Sequence, residues 1–465
     1  MNSQDPFNVA PSLPGWLLYP STLVLFLLLC VVLYRSRVRQ EAFAIFVPWF
    51  RYVVSTYHTI TFQSAFAGLT WNAFGSSGIF LLGLLVVKPR DFGLKLLLPC
   101  YFLMGVVALS GLANRDFGGT IDAIVKLGFF LVLSLSFYEA LGQVGEKRAT
   151  SRLLWSFGPP LLFQVLSVVF GIAKATETDG STSYIGGYNH EAAFSIILAT
   201  CLFVSAIATG LSRWLRFAIL VACIAGILLA NYRTTILAVA PLILAQLNSD
   251  ILGRFSRRQR VIIGIFVGFI TLAMLGIVGW VLRDRFQDLA TVLESGTELM
   301  KRPELYTRAE VQMLSARPYI WSYYIYGYID GGMLQHLIGF GGNSWDGVFS
   351  KYAHNTLISS LYEYGIAGII AFPYLWISML FAALRVRHSA RAKLVGAHLS
   401  FLLLNMATMP HWMIEGDILY GLICGYTFHC LLRPEAATSP AKVPKAPRAR
   451  FVAPQTATSP ARRAI

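Results

Sequence analysis

Apolar runs of about 20 residues recur along this 465-residue chain, divided by short loops in which basic residues collect. A run of that length matches the hydrocarbon thickness of a bilayer. Inside lipid every backbone N–H and C=O must be satisfied within the fold, which leaves only helices or closed barrels. The short alternating strands of a barrel are absent from the sequence. The pattern predicts an all-α polytopic integral membrane protein with about 12–13 transmembrane helices and one large polar loop carrying short helices. Hydrophobic residues make up 56% of the chain and charged residues 13%, a balance that excludes an ordinary soluble domain.

The formal net charge of +15 does not imply a nucleic-acid partner, because the basic residues lie in alternate short loops and the tail. Arg35, Arg37 and Arg39, then Lys88, Arg90 and Lys95, then Lys147, Arg148 and Arg152 mark one side, as Arg213, Arg216, Arg254, Arg257, Arg385 and Arg391 do later. That is the positive-inside distribution. It orders the spans near 15–34, 42–58, 72–87, 96–113, 120–140, 153–173, the stretch after 191, 217–231, 234–248 and 261–282 as ten helices in 1–282. A large loop on the outer side, 283–353, is expected to hold helices near 284–300 and 305–316. Three more spans, near 355–384, 394–410 and 413–432, fill 354–432, and 433–465 reads as a disordered basic cytoplasmic tail. The first span is too long for a signal peptide and is expected to stay, with its N-terminus outside. All six cysteines lie in or beside apolar spans, which predicts neither disulfides nor a metal site.

Chemistry on a lipid-anchored substrate belongs where the long outer loop re-enters the membrane, and that junction holds His354 and Asn355. An imidazole, with a reference pKa of about 6.5, suits a general base there. Glu363 lies nine residues further on, which at about 100° per residue puts it on the opposite helix face, so it is not the partner of His354. Gly365 and Gly368 form a small-residue surface for close helix approach. Arg233, in a tight outer turn, has the bidentate fork that suits a phosphate. Arg317 and Trp321 sit in the loop, where the aromatic run 319–328 reads as an interfacial belt, the favoured use, or as a sugar-stacking platform, with Trp321 a candidate substrate contact. Asn189 is placed to cap the span after 191, and His190 beside it is a candidate to bind substrate. Asp122 and Lys126 are spaced to pair within a helix, whereas the intramembrane Arg51 has no partner in sequence and counts as a binding candidate.

Several of these residues stand in an order that resembles the O-antigen ligase and polymerase superfamily. His354-Asn355, nine residues, then Gly365 and Gly368 is similar to that family's signature. Ser315-Ala316-Arg317 with Trp321 resembles its small-x-Arg-x3-Trp element, and Leu337-Ile338-Gly339-Phe340-Gly341-Gly342-Asn343 its Gly-rich turn. Tyr232-Arg233-Thr234 matches a Ser-Arg element without the serine, and Gly187-Tyr188-Asn189 keeps only the last asparagine of an Asn-Pro-Asn element.

The resemblance implies a metal-independent, cofactor-free, inverting glycosyltransferase of the GT-C-like membrane class. It would sit in the bacterial inner membrane and act at the periplasmic face on undecaprenyl-pyrophosphate-linked glycan. It further implies that His354 activates the acceptor hydroxyl and that Arg233 and Arg317 hold the pyrophosphate. The leading expectation is an exopolysaccharide or O-antigen polymerase. The alternatives are an O-antigen ligase that transfers glycan to lipid A-core, and a transporter or flippase of lipid-linked sugar. Expected partners are the lipid-linked donor, a glycan or lipid A-core acceptor, membrane lipids and a chain-length regulator or flippase of the same pathway.

Overall fold

The computed structural model describes residues 11–66, 69–175, 182–250, 300–312 and 316–433, with a few isolated positions between 256 and 265. Expectations for a span near 261–282, a helix near 284–300 and the tail beyond 433 lie outside the described residues. The helices follow the apolar runs closely: α1 Gly15–Tyr34, α2 Arg39–Thr56, α3 Trp71–Val86, α4 Leu98–Asn114, α5 Phe117–Val144, α6 Glu146–Leu153, α7 Gly158–Val169, α8 Glu191–Ile207, α9 Arg213–Leu229 and α10 Arg233–Asp250. The loop adds α11 Arg317–Ile329 and α12 Met333–Ile338, and the chain continues with α13 Thr356–Arg385, α14 Arg391–Asn405 and α15 Ile414–Leu432. Among the described residues, five helical segments are long and apolar enough to cross a membrane. The only strands described are two small antiparallel pairs, Ser64–Phe66 with Leu69–Thr70 and Lys174–Ala175 with Thr182–Ser183.

A helix that is apolar on all sides must be surrounded by protein or lipid. Here α5, α8 and α15 form the centre, with α15 buried from Ile414 to Cys430 and α8 from Ala192 to Ile207. Small residues bring α15 against α5: a Cβ on Gly425 would lie 2.4 Å from the Ser134 carbonyl oxygen, and one on Gly421 3.2 Å from that of Phe130. At the periphery, α1 buries only Leu18 and Leu29.

The charged loops meet in groups at one end of the bundle. Buried Glu41 accepts from Arg148 at 3.1 Å and Arg152 at 2.9 Å, while Arg148 also donates to the Arg35 carbonyl. Asp250 likewise takes Arg216 at 3.0 Å and Lys393 at 3.1 Å.

Residues 317–355 fold back over the opposite end, and the two motif glycines act together there. α13 is broken at Gly365, whose φ of 61° and ψ of −153° are not helical. The carbonyls of Tyr362 and Glu363, which an unbroken helix would satisfy internally, instead accept from Phe340 N at 3.0 Å and Gly341 N at 2.9 Å. Gly339 therefore meets the break backbone to backbone. The small-residue surface expected at Gly365 and Gly368 receives α12 and the turn after it, since a Cβ on Gly365 would lie 2.7 Å from His336 O and from Gly339 N. Gly368 is needed within α13 itself, since a Cβ there would lie 2.7 Å from the Ser360 carbonyl oxygen.

The aromatic run forms helix α11 and builds a small core of its own, in which Tyr324 meets Phe349 at 4.6 Å and Tyr362 at 5.6 Å between ring centroids. Tyr324 is the buried aromatic of the run, while Tyr319, Trp321, Tyr323, Tyr326 and Tyr328 are half-buried. In the stretch expected to be helical near 305–316, a turn at Pro303–Leu305 and the helix Arg308–Gln312 are described, and 313–315 lie outside the described residues.

Candidate functional site

The residues singled out from the sequence fall at helix starts. Arg233 is the first residue of α10, Arg317 the first of α11, and His354-Asn355 immediately precede α13. A helix start carries about +0.5 of a charge and unsatisfied N–H groups, so a cation placed there is disfavoured unless an anion joins it. Arg317 and the backbone of Arg233 both stand at such positions.

Hydrogen bonds draw these starts together. Arg317 Nη2 donates to the Ala407 carbonyl at 3.4 Å, and Asn355 Nδ2 donates to the neighbouring Met406 carbonyl at the same distance. Asn355 Oδ1 meanwhile caps α13, accepting from Leu357 N at 2.9 Å and Ile358 N at 3.3 Å. Burial raises the pKa of the Tyr232 phenol, and the Arg317 charge acts in the opposite direction, so Tyr232 in the Arg233 turn lies within electrostatic range of Arg317. Only the backbone of Arg233 is described.

His354 is held from behind. The Trp321 indole N–H donates to the Ala353 carbonyl at 2.8 Å and the Tyr324 hydroxyl to the Lys351 carbonyl at 3.1 Å. Burial raises the Tyr324 pKa, so the hydroxyl keeps its proton and remains a donor. Trp321, expected as a substrate contact, thus has a positioning role in the fold. Backbone strain gathers at the same place. Six described non-glycine residues have positive φ, and four of them, Asn231, Ala316, His354 and Met409, lie in the segments just named. Such conformations cost of order 1–3 kcal/mol each and persist where the surroundings enforce them.

Compared with known proteins, the chain matches no family model and no curated protein.

Arg51, Asn189 and His190 lie apart from the arginine group and line a cavity of about 450 Å³, together with Lys126, Tyr352 and Glu415. The link between the two places is Tyr352. Its ring lies against His354 at 4.0 Å between centroids with the planes tilted by 41°, and its hydroxyl lies 3.4 Å from His190 Nε2. The expected cap of α8 moves by one residue: His190 Nδ1, not Asn189, accepts from Ala192 N at 3.1 Å. That bond puts the proton of the neutral ring on Nε2, facing Tyr352. Lys126 is paired with Asp122 at 2.6 Å, as the spacing predicts. Glu363 turns to Ser359, Trp412 and Asn343 N, consistent with its exclusion as the partner of His354.

Among the described residues one group of side chains lies within metal-binding range, Glu146, His388 and Cys430, at the opposite end of the bundle from His354. It fits a metal poorly. His388 Nδ1 accepts from Ala390 N, so the proton of the neutral ring is on Nε2, 3.3 Å from Glu146 Oε1, where a metal would need a lone pair.

Tyr352 and Glu415 were missed in the sequence. Glu415 opens the last apolar span, and the cost of a carboxylate in lipid is a signal that would have found it. Tyr352 carries no such signal, since only the fold brings it to His190.

Proposed function

We propose that this chain is a membrane glycosyltransferase of the O-antigen ligase and polymerase kind. In this reading it works as a polysaccharide polymerase at the periplasmic face of the bacterial inner membrane and uses undecaprenyl-pyrophosphate-linked glycan as donor. The observation that carries the reading is the convergence of Arg317, the Arg233 turn and the start of α13 beside His354. A pyrophosphate leaving group gains negative charge as its bond to the sugar breaks, and arginines at helix starts stabilise that charge.

His354 takes the proton from the acceptor hydroxyl. The oxygen attacks the anomeric carbon from the face opposite the pyrophosphate, the bond from that carbon to the phosphate oxygen breaks, and configuration inverts. Positioning and charge stabilisation do the work, and His354 contributes roughly 10²–10⁴-fold as base.

The test is a strain lacking the gene, examined for what remains on the lipid carrier. Single repeat units are the expected result. Full-length glycan left on the carrier would instead make the chain a ligase, and an unchanged lipid-linked pool would end the transferase reading.

Trp321→Phe keeps the ring and removes the donor to the buried Ala353 carbonyl. An unpaired buried acceptor costs about 1–3 kcal/mol, here spent on loosening the segment that carries His354. The expected outcome is normal membrane abundance with polymer formation reduced by about tenfold or more, measured as incorporation of labelled repeat units. Full activity would show that this bond does not position His354.

A further inference from the structure

Arg51 lies within α2 and is 2% exposed, yet it lines the cavity. A guanidinium has five N–H donors. Nη1 is directed to α3, with Asn72 Oδ1 at 2.6 Å, Ser76 Oγ at 3.1 Å and the Asn72 carbonyl at 3.3 Å. Nη2 is 4.0 Å from Glu415 Oε1, outside hydrogen-bond range, and Nε has no hydrogen-bond partner. Glu415 Oε1 is already supplied by the Tyr188 hydroxyl at 2.5 Å and the Ser55 hydroxyl at 3.2 Å. The Nε–Nη2 edge is a fork that can grip two oxygens of a carboxylate or phosphate, and a buried cation with that edge unfilled is costly.

The field around the cavity has the same sign. Its lining includes the starts of four helices: Thr70 and Asn72 at α3, Gly118 at α5, His190 at α8 and Ile414 at α15. Each directs the positive end of its dipole toward this space, which offsets Glu415 and Asp122. Lys126 is held by Asp122 at 2.6 Å, whereas Arg51 has only the longer 4.0 Å approach to Glu415, so among the described lining residues Arg51 keeps donors for a ligand.

We propose that the Arg51 cavity is an oxyanion subsite that takes a carboxylate or phosphate group carried by the acceptor glycan. The oxyanion site rests on Arg51 and the four helix starts. Its assignment to the acceptor rests on the transferase reading and on Tyr352, which lines the cavity and packs its ring against His354. In this arrangement the donor pyrophosphate lies on the side of Arg317, the acceptor is held from the side of Arg51, and His354 lies between them.

The test uses the full-length protein in nanodiscs, with glucuronate and inorganic pyrophosphate as separate probes in titration calorimetry. Both are titrated in an Arg317→Gln background, which weakens the pyrophosphate site assigned to Arg317, so that the remaining binding reports the Arg51 cavity. That protein is expected to bind at least one probe, and which one identifies the group as a sugar carboxylate or a phosphate. Adding Arg51→Gln/Glu415→Gln removes both buried charges together, and its melting temperature checks the fold. It should weaken the remaining binding by about tenfold or more, as loss of charge-assisted hydrogen bonds predicts. Adding Arg51→Lys instead keeps the charge without the fork and should weaken it by a similar factor. The subsite is overturned if the Arg317→Gln protein binds neither probe, or if adding Arg51→Lys leaves its binding unchanged. Arg51-dependent binding together with an unchanged lipid-linked pool in the deletion strain would keep the oxyanion site and remove its assignment to a transferase acceptor.

Discussion

Replacing His354 by Asn is expected to abolish polymer formation while the protein still inserts and accumulates normally. The choice of variant matters because His354 has a φ of 54°. Asparagine is among the residues that adopt this left-handed conformation most readily, so the strain at the segment is not increased, and its side chain keeps hydrogen-bonding capacity. What it lacks is a nitrogen able to take up a proton near neutral pH. As the loss of a general base, the change should lower transfer by roughly 10²–10⁴-fold. The measurement is the ladder of glycan chain lengths in a deletion strain carrying the variant, normalised to protein in the membrane fraction. A normal ladder from His354→Asn would remove the base assignment and leave His354 as a residue that shapes the turn before α13.

The long-range part of the fold was legible in the sequence where one physical constraint acts alone. Bilayer thickness sets the length of apolar runs, and the observed α1 to α5 begin and end within a few residues of the spans read from hydropathy. Asp122 and Lys126 were legible because i and i+4 face each other on any helix. Elsewhere a residue type has two uses and only the partner decides between them. Glycine in an apolar helix serves close packing or a break, and Gly365 serves both, breaking α13 where α12 and Gly339 dock against it. Trp321 was legible as one ring of an aromatic run, but that its indole N–H reaches the Ala353 carbonyl depends on the fold. Asn189 is the better cap by type, yet His190 holds the capping position at the start of α8. The candidate residues themselves were found by residue type and order. Their grouping, with Arg317 and Asn355 beside the turn after α14 and Arg51 across Tyr352, rests on contacts between segments far apart in sequence.

Gly339→Ala is expected to undock the loop from α13, with an effect far larger than that of the same change at Gly347. Gly339 has φ 72° and ψ −166°, and its partner Gly365 has φ 61° and ψ −153°. Both lie in a region that is essentially open to glycine alone, where strain costs of order 1–3 kcal/mol. Space adds a second penalty. A Cβ on Gly339 would lie 2.2 Å from the Glu363 carbonyl carbon and 2.3 Å from both Glu363 O and Tyr364 N, all backbone atoms that cannot rotate aside. Separating the two segments breaks the bonds from Phe340 N and Gly341 N, which leaves the Tyr362 carbonyl unpaired and the Glu363 carbonyl with only the Ser110 hydroxyl at 3.1 Å. The unpaired carbonyl costs a further 1–3 kcal/mol or so. Gly347 also has a positive φ, 78°, but a Cβ there meets nothing within 4 Å, so Gly347→Ala isolates the backbone strain from the collision. Limited proteolysis of both variants in membranes should cut the 300–355 region of Gly339→Ala much faster than that of Gly347→Ala or the wild type, with polymer formation lost in Gly339→Ala alone. Equal protection of the two variants would mean that the Gly339 contact does not hold the loop. The alignment of His354 with Arg317 would then have to come from the Trp321 and Tyr324 bonds to residues 351–353 without help from the break in α13.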